Sequence, residues 1–94
     1  MPKLSDVVLQ RELKKMPRWR KVGEAIQKKY RFRSFKNAMR FVNRVGRMAE
    51  RAGHHPDISI SYSLVILRVW THSEGGVTGK DIDLARTIDA SRRR

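Results

Sequence analysis

Ala49-Glu50-Arg51-Ala52-Gly53-His54-His55-Pro56-Asp57-Ile58-Ser59-Ile60-Ser61-Tyr62 changes its period in the middle. Up to Gly53 the apolar residues recur at steps of three and four. After Pro56 they alternate. Glycine at the junction supplies the left-handed residue that ends a helix, and Pro56 disfavours helical backbone at His55. The stretch is therefore the end of a helix, a turn with two histidines, and a strand. It holds two of the three histidines of the chain; the third, His72, comes near the end of the following strand.

Upstream, Ser34 is placed to cap the helix. Phe35, Ala38, Met39, Val42, Val45, Ala49 and Ala52 give it a core stripe. Lys36, Arg40, Arg44, Arg47 and Arg51 form a second stripe, read as a solvated face. Before it, Ile26, Lys28, Tyr30 and Phe32 alternate with Gln27, Lys29, Arg31 and Arg33. With Trp19 to Val22 and the turn at Gly23-Glu24 this is an antiparallel hairpin with one wet face. Lys28 interrupts the pattern and predicts a sheet edge. A first helix starts at Ser5, carries Val8, Leu9, Leu13 and Met16, and stops at Pro17.

Downstream, Ile58, Ile60 and Tyr62 belong to a third strand, which turns near Tyr62-Ser63. In the fourth strand Val65, Leu67, Val69 and Thr71 lie on one face, and Leu64, Ile66, Arg68, Trp70 and His72 on the other. Apolar on both faces for much of its length, it is central or meets another subunit. Gly75-Gly76 turns the chain, Thr78-Gly79-Lys80-Asp81 is a capping box with Asp in place of Glu, and Ile82, Ala85 and Ile88 give the last helix its buried stripe. The expected architecture is α+β, a single domain over residues 1–94. Its order is α-β-β-α-β-β-α, with a four-stranded antiparallel sheet and helices packed on one face.

The totals narrow the function. Ninety-four residues hold one modest core, and the absence of cysteine excludes a disulfide framework, a thiol nucleophile and a thiolate-ligated zinc. The longest apolar run, Leu64 to Leu67, is too short to span a membrane, and no signal pattern opens the chain. A cytoplasmic protein without a membrane partner is expected. Of the net +13, residues 11–51 carry +12, from fifteen basic and three acidic residues; residues 52–94 hold six and five. That asymmetry fits a nucleic-acid or protein-binding surface, or simply a solubilising face.

In an antiparallel hairpin the start of one strand lies beside the end of its partner. Residues 54–56 should therefore be neighbours of His72. Glu50 is four residues before His54, so its carboxylate can reach that imidazole on a helix. Adjacent His54 and His55 diverge and line two walls of one cleft. Three histidines suit a zinc site, but the adjacent pair, the lack of an i,i+4 pair and the lack of thiolate favour acid–base chemistry on a small molecule. No metal is expected. Asp81, at the start of the last helix, can face the same cleft. Tyr62 and Trp70 are read as packing or interface residues.

These residues resemble the pterin-4a-carbinolamine dehydratase family. The pattern is Glu50, three residues, His54-His55-Pro56, five residues, Tyr62, nine residues, His72, eight residues, Asp81, set among Phe35, Ala38, Phe41-Val42-Asn43, Gly75-Gly76-Val77-Thr78 and Leu84-Ala85. The resemblance runs from about residue 19 to 89. It implies dehydration of 4a-hydroxytetrahydropterin to the quinonoid dihydropterin, which recycles the pterin of aromatic amino-acid hydroxylases. It implies no cofactor, the pterin being the substrate, and a homodimer or homotetramer. In animals some members also act as dimerisation cofactors of a homeodomain transcription factor. Carried over by position, His54 and His72 are the acid–base pair and His55 lines the pocket. Glu50 tunes His54, Asp81 holds His72 or a pterin edge, and Pro56 and Lys80 flank the site. Lys80 replaces an arginine found in some members, and Arg18 stands where the family often has glycine. A non-catalytic module on the same fold, binding nucleic acid or a protein through residues 11–51, is the alternative.

Overall fold

The computed structural model describes residues 2–92. Its elements are α1 (Asp6–Leu13), β1 (Arg20–Val22), β2 (Ala25–Arg31), α2 (Phe35–Ala52), β3 (Asp57–Ser61), β4 (Leu64–Val69), a 3-10 turn (His72–Glu74) and α3 (Gly79–Ser91). The order α-β-β-α-β-β-α and the α+β class are those expected. The four strands form one antiparallel sheet in the order β1-β2-β4-β3. β4, apolar on both faces, lies between β2 and β3. Its Val65, Leu67 and Val69 are fully buried and share one cluster with Leu9 of α1, Phe41 and Val45 of α2, and Ile82 and Ile88 of α3. The helices thus pack on the face that these three valine and leucine side chains define. No helix among the described residues is long and apolar enough to cross a membrane.

The caps follow the sequence. Ser5 Oγ accepts the Val8 N–H, and Ser34 Oγ accepts the Asn37 N–H at 3.1 Å. The core stripe of α2 is rotated from the expected one. Ala38, Phe41, Val45, Met48 and Ala49 are buried, Met39 and Val42 are partly covered, and Phe35 and Ala52 are exposed. Phe41 draws the helix over. Its ring packs on Tyr30 and Phe32 at centroid distances of 4.7 and 5.1 Å. Phe35, in the first turn of α2, is left exposed.

Lys28 departs from expectation in one respect. Register Lys28↔Leu67 puts it on the core face of β2, an inner strand, where its ammonium meets Asp89 of α3 at 3.1 Å. The edge expectation holds only for the backbone beside it, because β1 pairs no further than Gln27. Asp89 also accepts from the Trp19 indole at 2.7 Å and the Tyr30 hydroxyl at 2.8 Å. One carboxylate thereby ties α3 to β2 and to the segment before β1. A run of alternation cannot announce this, since the acid lies 59 residues from Tyr30. Ile58 and Ile60 face the helix side, as their register with Leu67 and Val65 requires. Tyr62 does not pack: it sits in the turn with φ +52° and is 70% exposed.

Candidate active site

The end of α2 sets the site. Gly53 adopts φ +63°; its N–H bonds to the Glu50 carbonyl and the His54 N–H to the Ala49 carbonyl, both at 3.2 Å. This paired closure satisfies carbonyls that the helix end would leave open. It also turns His54 out of the helical path and back toward α3. There its Nε2 meets Asp81 Oδ1. The imidazole is mostly covered and the carboxylate has no exposed surface.

A buried carboxylate needs its lone pairs used. Asp81 Oδ2 accepts the Thr78 N–H at 2.8 Å, completing the capping box of α3, and the Thr71 hydroxyl at 2.9 Å. Thr71 Oγ1 lies 2.9 Å from Thr78 Oγ1. Since the Thr71 proton goes to Asp81, Thr78 must donate to Thr71. Hydroxyl, hydroxyl, carboxylate and imidazole form one directed chain that fixes the orientation of the His54 ring and the nitrogen that faces Asp81.

The expected partnership of Glu50 with His54 is corrected. Glu50 Oε2 meets His55 Nε2 instead, and both groups are largely exposed. The reason is Gly53. With the helix closed there, His54 has left the i,i+4 position and His55 comes back over the last turn. An exposed pair of this kind contributes little to stability. Asp81 likewise holds His54, not His72. Pro56 is partly covered and leads into β3. Lys80 is exposed on the first turn of α3 and lines, with His54, Met48 and Leu84, a small cavity of about 180 Å³.

His72 opens the 3-10 turn beyond β4. It is exposed and stacks on Trp70, with ring centroids 4.1 Å apart and planes at 22°. β3 pairs with β4 from Asp57↔Arg68 to Ser61↔Leu64, and beyond that pairing it is Thr71, not His72, that shares the Asp81 carboxylate with His54. The sequence alone gives Thr71, the neighbour of His72, no role in the site. Its signal was present: it is the one polar member of the inward face Val65, Leu67, Val69, Thr71. Among the described residues no three His, Cys, Asp or Glu side chains gather as a metal-ligand set.

The family model for pterin 4 alpha carbinolamine dehydratase matches residues 2–91. The chain belongs to that family. A relative from Koribacter versatilis, provisionally named a pterin-4-alpha-carbinolamine dehydratase, is 51% identical over 86 residues, 92% of each chain. Another, of the same provisional name, from Picosynechococcus sp., is 46% identical over 87 residues, 93% of this chain and 95% of the relative. The crystal structure of a transcriptional coactivator/pterin dehydratase from Brucella melitensis superposes with a TM-score of 0.90 at 34% identity, covering 94% of this chain and 96% of the other. A pterin dehydratase-like protein identified as a RuBisCO assembly factor in the alpha-carboxysome shares the fold, with a TM-score of 0.63, at 19% identity.

Proposed function

We propose that this protein dehydrates a 4a-hydroxytetrahydropterin to the quinonoid dihydropterin and so returns an oxidised pterin to reductive recycling. The observation that carries the reading is the His54–Asp81 pair, held by Thr71 and Thr78; His55 leads into β3, and His72 follows β4, the strand beside it. Membership of the family supplies the substrate class.

The reaction removes water without oxidation or reduction. The C4a–O bond breaks, the N5–H bond breaks, and a C4a–N5 double bond forms. One group must take the N5 proton and another must protonate the departing hydroxyl. With Nε2–H given to Asp81, a neutral His54 carries its lone pair on Nδ1. We assign it the base at N5. His72, exposed and steadied by Trp70, is assigned the acid at the C4a hydroxyl. His55, backed by Glu50, lines the pocket, and Lys80 and Pro56 flank it. Asp81 and Thr71 act as positioning residues. A proton passed from His54 back to His72 through solvent closes the cycle.

Purified protein should accelerate loss of the 4a-hydroxypterin absorbance. His54→Ala and His72→Ala should each lose on the order of 10²–10⁴-fold, the usual worth of a positioned acid or base. We also propose a homodimer or homotetramer. Phe35, 52% exposed, and Ile60, 38% exposed, are apolar side chains in search of cover.

A further inference from the structure

The dehydratase reading leaves a second concave surface unused. A cleft of about 650 Å³ opens where β1 stops short of the end of β2. Arg18, Arg20, Lys28, Lys29, Arg31 and Arg92 line it. They come from four places: the turn before β1, β1 itself, both faces of β2, and the end of α3. Lys28 is neutralised by Asp89. Among the described residues no carboxylate lies within ion-pair distance of Arg18, Arg20, Lys29 or Arg31.

The backbone adds donors. The Phe32 N–H goes to the Ser63 carbonyl, so by alternation Lys29 and Arg31 turn their N–H groups to the opposite side of β2. That side is open beyond Gln27. Arg18 holds φ +69°, a conformation that favours glycine, so its side chain is kept there at a backbone cost. One or two charges are enough to guard an open strand edge against pairing. Four unpaired cations and two free amides around one cleft exceed that need.

We propose that this cleft holds the phosphodiester backbone of a nucleic acid strand. Guanidinium groups and amides match phosphate oxygens. An acidic protein partner would need apolar anchors, but Trp19 and Tyr30 behind the cleft are only 4% and 1% exposed. A lipid surface is flat and wants inserted apolar side chains, whereas this surface is concave and cationic. Contacts are to phosphate, so binding has affinity without sequence preference.

The test is fluorescence anisotropy of a labelled 15-nucleotide single-stranded DNA against the full-length protein, at salt from 50 to 300 mM. Each phosphate contact adds ~0.7 to the salt slope for a single strand, so wild type should show a slope near ~−3. Arg18→Gly/Lys29→Gln/Arg31→Gln should make the slope shallower by ~2 and weaken binding at 50 mM at least ~10-fold. Arg18→Gly alone should weaken binding while its melting temperature holds or rises, an outcome that a structural role for Arg18 would not give. His54→Ala should bind DNA as wild type does, which separates this proposal from the catalytic one. No binding at 50 mM salt, or equal binding by the triple variant, overturns the proposal. So does tighter retention on phosphatidylserine vesicles than on DNA, which would assign the cleft to a membrane surface.

Discussion

Thr71 has one hydroxyl proton, and where it goes decides how the site is held. It goes to the buried Asp81 carboxylate, whose other oxygen faces His54. A hydrogen bond to a charged group contributes about 1.5–3 kcal/mol, so Thr71→Val should slow turnover roughly 10–100-fold if that energy is spent on His54 geometry. The loss should fall on kcat more than on KM, and Thr71→Ser should restore most of it. Equal kcat in Thr71→Val and wild type, with the fold intact, would remove Thr71 from the site. Single-residue partnerships are the least legible part of the sequence. Parity placed Thr71 on the inward face but gave no reason to join it to Asp81, because the join is made by a carboxylate ten residues on, across a turn. Helical spacing alone matches Glu50 to His54, and that spacing stops applying one residue earlier, at Gly53.

At the scale of elements, the closure of α2 at Gly53 positions the histidine pair. A Cβ at Gly53 would meet nothing within 4 Å, so the cost of Gly53→Ala is purely the left-handed backbone. That cost is about 1 kcal/mol, or about 4–8 °C in Tm for a domain of this size, which a thermal melt resolves. Activity should fall further than stability, because the same closure aims His54. The clasp of α3 on β2 gives an alkaline signature. Burial, and then the hydrogen bond to Asp89, push the Tyr30 phenol far above its ordinary value. The unfolded phenol ionises near ~10, so above that pH the unfolded state binds fewer protons than the folded one. Stability contributed by Tyr30 is present below pH ~10 and is lost above it, by up to ~1.4 kcal/mol per pH unit. Urea melts from pH 8 to 11 should show this limb, and Tyr30→Phe should flatten it while lowering stability at pH 8. Most elements were legible in advance, because caps and periods are local. The rotation of α2 onto Phe41 and the pairing of Lys28 with Asp89 were not, because each depends on a partner that only the folded sheet supplies.

For the whole molecule, charge and apolar exposure make separate claims. The basic first half supplies most of the cleft at the open edge of β2, whereas His54, His55, His72 and Asp81 belong to the nearly neutral second half. Binding and catalysis should therefore respond to different substitutions. Self-association should appear as a dimer or tetramer in sedimentation at micromolar concentration, weakened by Phe35→Glu if that exposed ring is part of the contact; a monomer throughout would contradict it. Catalysis is tested most directly by the rate at which the 4a-hydroxypterin absorbance decays with and without purified protein. Wild type should give a decay well above buffer, and His54→Ala and His72→Ala should each largely abolish it. A wild-type rate equal to buffer would contradict the dehydratase reading.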